Sequence, residues 1–124
     1  MLFKSFIIIK GGHTMDKRYM ALATSMLVLK LLDRQSMYGY QIIRELEQQS
    51  QNVFRLQEGT LYPVLHALEQ QGAVSTSRQL ADNGRIRKYY AVTAHGRKLL
   101  VEKEKEWRVY ETAVNQVMGG VLFG

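Results

Sequence analysis

The chain has 124 residues, with 17 Lys and Arg against 11 Asp and Glu, for a formal net charge of +6. That length fits one domain with at most one appended element, and 46% hydrophobic with 23% charged residues is globular material, not disordered or collagenous chain. The absence of cysteine excludes disulfides, thiolate zinc sites and cysteine nucleophiles, and no apolar run approaches the roughly 20 residues of a membrane span.

Residues 1–14 read MLFKSFIIIKGGHT. The apolar stretch Phe6 to Ile9 is too short for the hydrophobic region of a secretion signal, about 7–15 residues, and no small-residue cleavage site follows it. Lys10-Gly11-Gly12 can be encoded by a purine-rich ribosome-binding sequence a few codons before Met15. Met15 is therefore the expected natural start and 1–14 a translated leader, poorly ordered unless it pairs. The alternatives are a β-prone arm or an interfacial segment.

Residues 17–33 are rich in helix formers and apolar at 20, 22, 23, 26, 27, 29, 31 and 32, which predicts a largely buried helix capped by Asp16. Residues 39–50 place Ile42, Ile43 and Leu46 on one face, a second and amphipathic helix. A loop over 51–57 docks Val53, Phe54 and Leu56. Residues 60–71 put Leu61, Val64, Leu65 and Leu68 on one stripe, with Thr60 as N-cap, Pro63 in the first turn and Gly72 as the stop. The apolar period then changes from 3.6 to 2. Val74–Gln79 and Ile86–Val92 read as strands joined through Asn83-Gly84, a hairpin signal. A last helix runs from after Thr93 to about Met118, stopped by Gly119-Gly120. Its apolar residues Leu100, Trp107, Val114 and Val121 recur every seven positions, flanked by Tyr110 and Val117. A charged helix with one such seam has little domain left to lie against, so the seam is expected to meet the same helix of a second chain.

The charge is concentrated. Residues 78–98 carry Arg78, Arg85, Arg87, Lys88, Arg97 and Lys98 against Asp82 alone, nearly the whole net charge. A basic hairpin after three helices is the layout of a winged helix-turn-helix, and the cations form the footprint of a polyanion. The third helix presents Thr60, Tyr62, Pro63, His66 and Gln70 on its polar face. A major groove about 12 Å wide admits one such helix, and the wing cations suit phosphates or the minor groove.

Four motifs, in order, carry a resemblance. They are Tyr38-Gly39-Tyr40 with Ile42-Ile43, the run Glu58 to Leu65 (EGTLYPVL), Leu68 to Gly72 (LEQQG), and Arg87 to Gly96 (RKYYAVTAHG). Over about residues 20–118 the chain resembles the PadR family of bacterial transcriptional regulators, in a short-tailed form. Departures are small: Val92 stands where the family favours Leu, and Ala73-Val74-Ser75 is less bulky than usual. The resemblance implies a mainly α fold with a small β-hairpin. A winged helix-turn-helix over 15–93 would be followed by a long dimerisation helix over 94–120. It implies a cytoplasmic bacterial homodimer that binds an inverted repeat in double-stranded DNA and represses. It places Thr60 and Tyr62 at the start of the groove-entering helix, with His66 further along that helix's outer face. Tyr38 and Gly39 begin the helix that buttresses it, and Arg85, Arg87 and Lys88 lie on the wing. In multidrug-sensing relatives a tryptophan from each subunit, at the place of Trp107, flanks a planar aromatic effector. Trp107, Leu100, Tyr110, Val114 and Val117 are thus the expected interface, with Glu104, Glu111 and Met20 as weaker neighbours. The plainer reading of Trp107 is an interface anchor.

The remaining inventory is bland. His13, His66 and His95 have no metal spacing, and no cofactor is expected. Tyr89 and Tyr90 fall on opposite faces of a strand, one under the wing and one outward. The Lys103–Glu106 run is a solvated face. An enzyme lacks paired carboxylates in a cleft, a phosphate loop and a Ser/His/Asp set. The competing reading is a winged-helix module for protein interaction without specific DNA binding, which would not need the basic wing.

Overall fold

The computed structural model describes the backbone of residues 6–8 and 14–119, and side chains from Ala23 onward. The elements are β1 (Phe6–Ile8), β2 (Thr14–Asp16), α1 (Lys17–Arg34), β3 (Met37–Tyr38), α2 (Gly39–Gln49), α3 (Glu58–Gln70), β4 (Val74–Leu80), β5 (Ile86–Val92) and α4 (Ala94–Val117). This is a winged helix-turn-helix with a C-terminal helix, as the residue pattern predicts. The leader reading falls mostly on residues outside the described ones; within it, β1 pairs antiparallel with β2. The side chains of Asp16 and Met20, and all of Val121, also lie outside the described residues.

The core forms where the apolar stripes of α1, α2 and α3 meet. Val28, Leu29, Ile42, Leu61 and Leu65 are 0% exposed there. Each such side chain stabilises the fold by about 1.5–3 kcal/mol. Met37 and Tyr90, 3% and 4% exposed, close the core from the sheet side.

The sheet has the order β3-β5-β4, all antiparallel. The pattern of residues shows the hairpin but not β3. Two residues are too short to display a period of 2, and Tyr38 reads as the start of a helix instead. In the structure Met37 pairs with Tyr90 and Tyr38 with Tyr89, so the residues before α2 become the third strand.

Helix α3 begins one turn earlier than the Thr60 cap implies. Its N-cap is Gln57, without a side-chain bond, and the amides of Thr60 and Leu61 both donate to the Gln57 carbonyl at 3.0 Å. Pro63 therefore lies past the first turn, where its missing N–H takes a helical bond from the Gly59 carbonyl. Gly72, at φ +73°, ends the helix as expected.

The joint between α3, the sheet and α4 is tightly built. The Thr93 hydroxyl donates to the Gly72 carbonyl at 2.6 Å and accepts from the Gly96 amide at 3.0 Å, capping α4. The Thr93 amide donates to the Ala73 carbonyl at 3.0 Å. Gly96 is buried, and a Cβ there would collide with that same carbonyl. Arg97 Nε donates to Asp33 Oδ1 at 2.9 Å, tying the start of α4 to the end of α1.

Candidate nucleic-acid interface

Helix α3 buries Leu61, Leu65 and Leu68 and so turns the opposite face outward. Tyr62, Pro63, His66 and Gln70 are exposed on it, and Thr60 is half-buried. Tyr62 is only partly free. Its ring covers Gly39, the first residue of α2, where a Cβ would lie 2.8 Å from Tyr62 Cζ. Gly39 is buried and serves this approach, the close contact that lets α3 sit against the start of α2. Partial burial, with Glu58 adding, pushes the Tyr62 phenol above its ordinary pKa, so it keeps a proton to donate.

The wing cations do not act as one patch. Alternation along the ladder sorts them onto two faces. One face carries Tyr38, Arg87 and Tyr89. The Arg87 guanidinium lies 4.4 Å from the Tyr38 ring centroid, and Tyr89 meets Tyr38 edge-on at 5.4 Å and 74°. The other face carries Thr76, Arg78, Lys88 and Tyr90. Lys88 Nζ sits 3.8 Å from Glu69 Oε1 near the end of α3 and 5.5 Å from the Tyr90 ring centroid. Thr76 Oγ1 donates to the other Glu69 oxygen at 3.4 Å. Burial, then Glu69, pushes the Tyr90 phenol pKa up. Arg85 follows the turn, where Gly84 takes φ +82° and Asn83 Oδ1 accepts the Arg85 amide at 3.0 Å. Of the two adjacent tyrosines, Tyr90 is buried under the wing, and Tyr89, on the opposite face as alternation requires, is half-buried against Tyr38.

Three side chains at this surface escape the sequence reading. Glu69 fastens Lys88, which a count of free cations overlooks; its signal is its place one residue before the end of α3. Tyr40 and Arg44 form an exposed pair on α2, with Arg44 Nη1 donating to the Tyr40 hydroxyl at 3.5 Å and raising the Arg44 pKa. Their spacing of four residues is the signal.

Helix α4 is buried only at its start, through Gly96 and Leu100. Leu100, expected in the seam between chains, is 4% exposed within the core of its own subunit and is a correction. The period of seven runs on from that residue, the last buried one of α4, into exposed positions. Beyond it Trp107 is 41% exposed, Tyr110 54%, Val114 40% and Val117 87%. The Trp107 and Tyr110 rings stand 5.9 Å apart. Glu104 pairs with Arg108 at 3.9 Å, and Glu111 is exposed.

Among the described residues no group of three His, Asp or Glu could hold a metal ion, and no helix is long and apolar enough to cross a membrane. A groove of about 270 Å³ lies between α1 and the end of α2, over Leu27, Leu31, Leu46 and Phe54. None of the residues above lines it.

Comparison with known proteins gives one consistent answer. The model of the transcriptional regulator PadR-like family matches residues 28–102. A transcriptional regulator of Mycobacterium tuberculosis is 36% identical over 83 residues, 67% of this chain and 71% of that one. A solved structure from Streptococcus mutans superposes with a TM-score of 0.71 at 37% identity, covering 81% of this chain and 90% of the other. A PadR family transcriptional regulator from Eggerthella lenta superposes at 0.66 with 32% identity, over 81% and 82% of the two chains.

Proposed function

Since the chain belongs to the PadR-like family of transcriptional regulators, which are not enzymes, we propose that it is a repressor that binds an inverted-repeat operator as a homodimer and releases it on binding a planar aromatic effector. The observation that carries the DNA reading is the fastening of the wing to both helices of the helix-turn-helix. Arg87 stacks on Tyr38 beside the start of α2, and Lys88 pairs with Glu69 near the end of α3. The wing is therefore held from both of its faces, which presets where its cations stand relative to α3. In that arrangement Thr60, Tyr62 and His66 reach the major groove and Tyr38 approaches the backbone, while Gly39, expected at the DNA but buried beneath the Tyr62 ring, positions Tyr62 instead; Arg87 meets phosphates from one face of the wing, Lys88 from the other and Arg85 from beside the turn.

Dimerisation is supported by the seam Trp107, Tyr110, Val114 and Val117, whose spacing alternates three and four along the exposed part of α4. The effector reading is supported by the exposed Trp107–Tyr110 ring pair on that seam. Two indoles brought together across a two-fold axis would sandwich a flat cation. Such a ligand releases DNA only by binding one spacing of the two winged domains better than the other.

The test is an electrophoretic shift with DNA from upstream of the protein's own gene, across a salt series, against scrambled competitor of equal length. A specific shift that weakens steeply with salt is expected. No preference over the scrambled duplex refutes autoregulation, and none for any genomic fragment refutes the regulator reading. For the effector, Trp107→Ala should abolish binding of a planar cationic dye, read from the dye's own anisotropy, while the dimer persists. Undiminished dye binding by that variant overturns the pocket.

A further inference from the structure

Leu80 and Ile86 face each other across the outermost rung of the wing ladder. They are 74% and 67% exposed. Among the described residues outside α4, no other large aliphatic side chain is so exposed. Neither belongs to the core or packs against it, so the fold gains from them one solvated cross-strand pair and leaves most of their apolar surface uncovered. Alternation sets them on the face of Arg78 and Lys88, the face fastened to the end of α3 through Glu69. Cations surround them: Arg78 and Lys88 form the neighbouring pair on that face, Arg85 adjoins Ile86, and Asp82 is the one acid in the hairpin.

An aliphatic tip ringed by positive charge fits a surface that is apolar in the middle and anionic at both edges. The minor groove of duplex DNA is such a surface, with deoxyribose walls between two rows of phosphates. A β-ribbon is about 5 Å between its strands before side chains are counted, and the groove is about 6 Å wide. The ribbon cannot lie flat in it. It enters end-on, and then only side chains of the last rung reach the sugars. We propose that Leu80 and Ile86 form an apolar minor-groove contact beside the major groove taken by α3, with Arg78 and Arg85 on the flanking phosphates. This rests on the reading of the chain as a duplex-DNA-binding regulator.

Two consequences separate this contact from a purely ionic wing. An apolar contact releases no counterions, so it adds affinity without adding to the salt slope. It also reads the groove floor. The guanine 2-amino group protrudes there, whereas A·T and inosine·C pairs leave the floor open.

The experiment uses the full chain and the genomic duplex it protects. The wild type, L80S/I86S and R85A are compared across a salt series. The base pairs beneath the wing, located by footprinting, are then changed to G·C or to inosine·C. The double variant should melt close to the wild type, because the replaced side chains meet each other across the last rung and nothing in the core. It should bind about tenfold or more weakly at every salt concentration, as expected for losing part of two buried aliphatics, with an unchanged slope. R85A should lower the slope by about one charge. The wild type should discriminate against G·C relative to inosine·C, and the double variant should not. Wild-type affinity in L80S/I86S overturns the inference while leaving the regulator reading intact. So does retained G·C discrimination, and so does normal DNA binding with lost repression in cells, which would assign the pair to a protein partner. A wild type that prefers no fragment over scrambled DNA removes the regulator reading and this contact together.

Discussion

The contact between Gly39 and Tyr62 gives a sharp test of how α2 and α3 are held together. A methyl group at position 39 would lie 2.8 Å from Tyr62 Cζ and nearer still to its hydroxyl. The Tyr62 ring, 41% exposed, must swing out to make room. An aromatic side chain fully buried covers about 150–250 Å². Roughly 100 Å² of contact is therefore at stake, about 2.5 kcal/mol as a ceiling. Against this, Gly39 is not in the left-handed region, so alanine there stiffens the unfolded chain and contributes about 0.4–1 kcal/mol in the other direction. Gly39→Ala should thus cost about 1–2 kcal/mol in the wild-type background. In a Tyr62→Ala background the obstruction is gone, and the same substitution should stabilise by about 0.5–1 kcal/mol. The assay is urea unfolding of the four chains at one protein concentration, with the m-value constant. The change of sign is the signature. An equal effect of Gly39→Ala in both backgrounds would falsify the view that Tyr62 is the reason for glycine at 39.

Three further outcomes follow from the geometry. Thr93→Val keeps the shape but removes both the bond to the Gly72 carbonyl and the α4 cap; a loss of about 1–2 kcal/mol in denaturant unfolding is expected, and no loss refutes the joint. Arg87→Ala should weaken DNA binding and lower the salt slope by about one, Lys88→Ala should lower it less because Lys88 already has Glu69 as a partner, and Tyr38→Phe should keep the ring under Arg87 and with it the affinity. Folding raises the phenol pKa of Tyr62 and Tyr90. The stability tied to their protonated forms is whole below about pH 10, the unfolded value, and is lost as pH rises through the higher folded values. Tyr90→Phe should therefore flatten the alkaline loss of thermal stability, and an unaltered pH profile would count against burial as the cause.

The first three helices and the hairpin were legible because each buries apolar residues whose period survives in the sequence, and α4 because its apolar residues recur every seven positions. Leu61, Leu65 and Leu68 mark α3, and the change of period at Val74 marks the wing. What the residues did not disclose depends on contacts between elements. β3 is two residues long, and its pairing with Tyr89 and Tyr90 is a tertiary fact. The division of the wing cations follows from alternation, yet only the partners show what it does: Tyr38 takes Arg87 and Glu69 takes Lys88. Leu100 illustrates the same limit from the other side. Its place in a seven-residue repeat is real, but the repeat cannot show where the helix leaves its own domain.

That point of departure bears on how an effector could act. α4 begins where α3 ends, and Thr93 is bonded to Gly72 and Ala73 on one side and to Gly96 on the other. Gly96 leaves no room for the start of α4 to tilt against the Ala73 carbonyl. A joint fixed by three hydrogen bonds and a close packing contact does not flex readily under a small load. A change in the spacing of two α4 helices would therefore be carried through this joint as a turn of the whole winged domain, α3 included. In that case weakening the joint by Thr93→Val would lower the coupling between effector and DNA more than the affinity for either alone. Unchanged coupling in that variant would place the moving part within α4 beyond Leu100, its last buried residue.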